Sequence, residues 1–213
     1  MSERAAPPQR RTYRHGNLRQ ALLEAGFALA RTGGPEAVIL REATRRAGVA
    51  PNAAYRHFAD RDALIHAVSL AAMAELAHTM ETEQADLPRL DDPVQAACAR
   101  FRAVGTGYLR FARTEPGLFR TAFFVPADMS QAQAAPSAGT SGLTPFQLLG
   151  AALDDLVTVG RMSAEHRPGA EFIVWAGVHG LAALLIDGPL RGLQDAQADE
   201  ATHLLIDMIE RGL

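Results

Sequence analysis

VILREATRRAGVAPNAAYRHFADRDALI, residues Val38 to Ile65, holds two short helical patterns on either side of Ala47-Gly48-Val49. Gly48 stands where a tight interhelical turn needs positive φ, a conformation that strains any side chain. Ile39, Leu40 and Ala43 form an apolar face before the turn, and Val49, Ala53, Tyr55 and Phe58 form one after it. Asp60 is placed to cap a longer helix beginning Arg61-Asp62-Ala63-Leu64-Ile65. The pattern predicts a helix-turn-helix with its supporting helix attached. Its short second helix carries Asn52, Tyr55, Arg56 and His57, a set suited to the major groove of DNA.

Charge divides the chain into two unlike parts. Residues 1–62 hold 11 Arg against 6 acidic residues, a net +5, whereas the remainder holds 10 Arg against 18 acidic residues, a net −8. A basic head on an acidic body directs a polyanionic partner to one end only. Residues 1–12, with two prolines and Arg4, Arg10 and Arg11, are expected to form a flexible basic arm. Aromatic residues are few and alanine is abundant, which favours helices over sheets. No segment alternates with the period of a strand. The expectation is an all-α chain of about nine helices, a three-helix head on a helical bundle. Residues 126–142, PADMSQAQAAPSAGTSG, are low in complexity and expected to be a disordered connector.

Arg14-His15-Gly16-Asn17-Leu18 opens the first helix, and Arg41-Glu42, Ala47-Gly48-Val49, Tyr55-Arg56-His57-Phe58, Asp60-Arg61 and Ala63-Leu64 follow it. On these residues the chain resembles the TetR family of bacterial one-component regulators, over about residues 12–66. Ile39 and Ala50 replace the hydroxyl residues that usually cap the two helices, and each missing cap costs about 1 kcal/mol. Pro51 offsets part of that cost by presetting φ in the first helical turn. Thr44 replaces a small Ala, Ala54 a larger aliphatic residue, and Arg61 the usual Lys. The string Trp175-Ala-Gly-Val-His179-Gly180, with Tyr108, Phe111, Glu115-Pro116 and Phe119 upstream, resembles the WHG type of TetR regulatory domain.

The resemblance implies a ligand-responsive transcriptional regulator, more often repressor than activator, that binds a palindromic operator in double-stranded DNA as a homodimer. Residues 13–60 would bind DNA, and residues 61–213 would bind a small effector and dimerise. Asn52 and Ala53, at the start of the recognition helix, are expected to reach base edges, Asn at adenine and Ala at a thymine methyl. Tyr55, His57 and Arg61 are expected at phosphates, which fix register without carrying sequence information. Pro51 and Arg56 complete the DNA-facing set. For Arg45 and Arg46, phosphate contact and plain solvation are equal alternatives.

Phe172 to Ile186 is apolar nearly all round, so it needs cover on two sides. The last helix, with Leu204, Leu205, Met208 and Ile209, is its natural neighbour, and the resemblance implies a dimer interface built from these two helices, Trp175 included. Phe101, Tyr108, Phe123, Met162, Trp175 and His179 are candidates for the wall of a pocket for a mostly apolar effector. For most of them plain core is the competing reading. His179 stands out, because an uncharged helix must find its imidazole a partner.

Other functional classes find little support. The seven histidines show no ligand pairing at i, i+4, so no metal is expected. There is no GxSxG, HExxH or phosphate-binding glycine loop, so neither an enzyme nor a cofactor is expected. Cys98 is the sole cysteine, which excludes an internal disulfide and points to a cytoplasmic home. The longest uncharged apolar stretch, residues 172–186, falls short of the roughly 18 residues a membrane span needs. The competing function is a helical DNA-binding or interaction protein whose C-terminal part only dimerises, without an effector.

Overall fold

The computed structural model describes residues 18–125 and 133–213, and every regular element among them is helical. Nine α-helices follow one another: α1 (Leu18–Gly33), α2 (Leu40–Ala47), α3 (Pro51–Ala54), α4 (Arg61–Ala85), α5 (Pro93–Thr114), α6 (Pro116–Phe124), α7 (Pro145–Thr158), α8 (Ala170–Ile186) and α9 (Asp195–Gly212). The basic arm, residues 1–12, lies outside the described residues, as do 13–17 and 126–132.

Local chemistry accounts for several helix ends. Gly48 adopts φ 69°, ψ 30° after α2, as the turn requires. Asp60 accepts from the Ala63 amide and Asp92 from the Val94 amide, each meeting a donor that the first helical turn leaves without a partner. Thr144 and Gln147 form a reciprocal capping box at α7, with Pro145 in the first turn. Neither Ile39 nor Ala50 supplies a side-chain cap to α2 or α3.

One helix is shorter than the sequence pattern predicts. α3 ends at Ala54, although the Phe58 amide still donates to the Ala54 carbonyl, so Tyr55–His57 turn without continuing a regular helix. α7 stops at Thr158, where Gly160 takes φ 71° and the Arg161 amide turns back onto the Leu156 carbonyl. The expected disordered connector also differs over its described half. Glu81 of α4 accepts from the Thr140 and Ser141 amides at 2.9 Å each and from the Ser141 hydroxyl at 2.6 Å. Ser137 is fully buried in the same segment. These bonds repay the ordering of a segment that has little apolar surface to bury.

α4 is the spine of the molecule. Its first two turns close the head, where Leu64, Ile65 and Val68 bury against Leu22, Leu29, Val38 and Phe58. Its remainder packs on α5, α6 and α7 through Leu76, Ala77 and Met80. α4 is also long and apolar enough to cross a membrane by length and composition, but half of that window is buried in the fold. Burying one such Leu, Val or Met side chain contributes about 1.5–3 kcal/mol, so the spine is held by many contacts of similar size.

A second connection joins head to body. The first turn of α6 lies on the end of α1, where a Cβ on Gly117 would overlap the Ala30 carbonyl oxygen and stand 2.6 Å from that of Arg31. Arg31 adds an ion pair to Glu115 at 3.0 Å and a looser one to Glu75 at 3.6 Å.

Candidate functional site

The exposed face of the head is built around two anchors. Ala54 and Phe58, four residues apart, are buried, and Arg19 of α1 lies 5.2 Å above the Phe58 ring. Burying these two turns Pro51, Asn52, Tyr55, Arg56 and His57 outward, with Tyr55 58% exposed and Ala53 half-buried beside them. One surface therefore presents an amide, a phenol, a guanidinium and an imidazole from a single turn-and-a-half of chain.

The remaining arginines of the DNA-facing set have partners within the protein. Arg45 grips Glu42 with two bonds of 2.8 and 2.6 Å, and Arg46 reaches the same carboxylate at 3.4 Å. The Arg45 hydrogen bond draws the Glu42 carboxyl down to about 2, so it is ionised throughout the neutral range. Arg61 donates from Nε to the Val38 carbonyl at 2.9 Å and from Nη2 to the Pro35 carbonyl at 2.8 Å. It ties the start of α4 to the 3-10 turn Pro35–Ala37 that precedes α2.

The body contains a cavity of about 170 Å³ between α4, α5, α6, α7, α8 and α9. Phe101, Tyr108, Phe123 and Trp175 line it, four of the residues singled out from sequence. Met162 is buried outside it. His179 is not among the described lining residues, but its Nδ1 lies 2.7 Å from the Tyr108 hydroxyl. Trp175 Nε1 donates to the same hydroxyl at 3.2 Å. The rings of Phe119 and Phe123 close the group, with centroids 5.5 and 5.1 Å from the imidazole. Burial pushes the Tyr108 phenol far above its ordinary range and pulls His179 below 6.5, so both are uncharged at neutral pH. Sequence periodicity misses the rest of the wall. Met73 and Met80 of α4, Phe146 of α7, and Ile206 and Ile209 of α9 also face the cavity, as tertiary crossing angles dictate.

α8 and α9 present an apolar outer face. Phe172, Ile173 and Leu184 on α8 and Leu204 and Met208 on α9 are all between 43% and 73% exposed. The set expected at a dimer interface is thereby split. Leu204 and Met208 point outward, whereas Trp175, Leu205 and Ile209 are half-buried. Ile209 fills the notch left by Gly177, where a Cβ would stand 3.0 Å from its Cδ1.

Family models match both parts of the chain. Residues 22–68 match the bacterial regulatory proteins of the tetR family, and residues 101–209 match the Tetracyclin repressor-like C-terminal domain. No curated protein matches. Among solved structures, a protein of unknown function from Rhodococcus sp. RHA1 superimposes with TM-score 0.74 at 26% identity, covering 96% of this chain and 99% of its own. FadR from Bacillus subtilis, solved in complex with stearoyl-CoA, gives TM-score 0.65 at 11% identity over 91% of this chain and 98% of its own. A putative tetR family regulator from Shewanella sp. PV-4 gives 0.54 at 20% identity, over 89% and 95% respectively. The last two likenesses are of fold alone. With its DNA-binding head and more than half its length matched by the family's two models, the chain belongs to the TetR family of transcription regulators.

Proposed function

We propose that this regulator is a homodimeric repressor whose two heads bind a palindromic operator and whose C-terminal cavity takes a small effector that releases it. The observation that carries the reading is the cavity itself, because its wall draws on α4 and α6, the two helices that also touch the head. Phe123 of α6 lines the cavity, and Gly117 of the same helix rests on the carbonyls that end α1. A ligand that shifts α6 or α4 changes the tilt of the head and, in a dimer, the separation of the recognition helices. That separation must stay near one DNA turn, roughly 34–36 Å, for both half-sites to be read. A coupling of about 1–3 kcal/mol is enough to change operator occupancy markedly.

Dimerisation proceeds through the outward face of α8 and α9, since an apolar surface this extended on two helices is rarely left to solvent. Asn52 reads a base, Tyr55 and His57 hold phosphates, and Arg56 stays within reach of the backbone. Arg61 supports the head from behind. A DNA-binding regulator of this kind works in the cytoplasm.

Selection from a randomised duplex library with the full chain tests the reading. An inverted repeat with half-sites one turn apart is expected, and Asn52→Ala is expected to alter the preferred sequence while His57→Ala weakens binding to all sequences. Recovery of no symmetric site would overturn it.

A further inference from the structure

The wall of the cavity states what kind of molecule it accepts. Among the described residues, none of those lining it is ionisable at neutral pH, the Tyr108 phenol being held protonated by burial. The only side-chain oxygen and nitrogen among them are the Tyr108 hydroxyl and Trp175 Nε1, and these are bonded to each other. An ion placed there would lose its hydration with no countercharge, a cost of several kcal/mol or more. Size adds a second limit. An engineered apolar cavity of about 150 Å³ holds benzene, and the volume here is about 170 Å³.

The hydrogen-bond inventory sets the third limit. A phenolic oxygen has one hydrogen and two lone pairs. The Trp175 N–H occupies one lone pair, and the bond to His179 Nδ1 takes either the hydroxyl hydrogen or the second lone pair, according to the imidazole tautomer. In either case one hydrogen-bonding position of the hydroxyl, a lone pair or the hydrogen, is left over, and Tyr108 lines the cavity.

Resting on the effector reading above, we infer that the cavity takes a neutral molecule of about one substituted benzene ring, carrying one hydroxyl that hydrogen-bonds to Tyr108. A coenzyme A thioester, the kind of ligand held by the Bacillus subtilis neighbour, brings charges for which the described lining residues offer no countercharge.

Calorimetric titration of the full chain with four probes tests this without reference to DNA. 4-Ethylphenol is expected to bind about tenfold more tightly than ethylbenzene, the difference one neutral hydrogen bond makes. 4-Ethylbenzoate and stearoyl-CoA are expected not to bind at neutral pH. In Tyr108→Phe the advantage of 4-ethylphenol is expected to disappear; the wild-type ranking stands as an independent test should that variant fold poorly. Equal affinity for 4-ethylphenol and ethylbenzene, tight binding of the carboxylate or the thioester, or no binding of any probe at millimolar concentration overturns the inference. Operator release is read separately. A probe that binds as ranked but never releases DNA contradicts the effector reading and leaves the ligand class standing, whereas release by stearoyl-CoA does the reverse.

Discussion

Arg61→Ala separates two roles that sequence spacing cannot distinguish. In the structure the guanidinium gives one bond each to the Val38 and Pro35 carbonyls, joining α4 to the turn before α2. Hydrogen bonds from a charged donor contribute about 1.5–3 kcal/mol each where water is excluded. Here the side chain is 46% exposed, so water recovers much of the loss. The two bonds together should therefore be worth about 1–2 kcal/mol, or a fall in melting temperature of roughly 3–6 °C for a chain of this size. Thermal unfolding by circular dichroism measures the fall, and duplex binding across a salt series measures the other role. If Arg61 only supports the head, binding weakens while the slope of log K against log salt is unchanged. If it holds a phosphate, the slope shrinks by about 0.9. An unchanged melting temperature together with a reduced slope would refute the supporting role. Arg61→Lys should recover part of the melting temperature, since one ammonium cannot span both carbonyls as the fork does.

Three further outcomes follow from other parts of the molecule. Gly117→Ala drives a Cβ into the carbonyls of Ala30 and Arg31, which are backbone and cannot yield, so it should cost at least about 2 kcal/mol and blunt operator release by ligand; a melting temperature equal to wild type would contradict the close approach. His179 is held below its ordinary 6.5 by burial, so the unfolded chain takes up its proton first and stability should be lost as pH falls from 6.5 towards the folded value. His179→Gln should flatten that part of the pH–melting curve, and an equally steep curve would count against the assignment. Leu204→Glu with Met208→Glu should convert a dimeric mass to a monomeric one in sedimentation equilibrium at micromolar concentration, while a monomeric wild type would refute the interface.

The legible parts of this fold are those where one residue type answers one local demand. Gly48, Asp60, Asp92 and Thr144 announce their helix ends because positive φ and unpaired amides have few solutions. Gly160 has the same role after α7, although the apolar residues Val159 and Met162 flank it. Phe101, Tyr108 and Phe123 could be placed on inward stripes of α5 and α6, and Trp175 on α8. Met73, Met80, Ile206 and Ile209 could not be assigned to the same wall, because their facing depends on how α4 and α9 cross α5. Arg61 and Glu81 show a different limit. Both spend their charge on backbone groups, Arg61 on carbonyls 23 and 26 residues away and Glu81 on amides 59 and 60 residues away. Backbone donors and acceptors exist at every position, so no side-chain pattern marks the partner. The split of α9 into an outward Leu204–Met208 edge and an inward Leu205–Ile209 edge also required the fold, since adjacent leucines look alike in sequence.

The proposed mechanism links cavity and operator energetically, and linkage is reciprocal. The direct test is the affinity of the full chain for 4-ethylphenol, measured by calorimetry with and without a saturating amount of the selected operator duplex. DNA is expected to weaken ligand binding by about 5- to 150-fold, the range of a 1–3 kcal/mol coupling, and the ligand to weaken DNA binding by the same factor. Equal ligand affinity in the presence and absence of operator would contradict it.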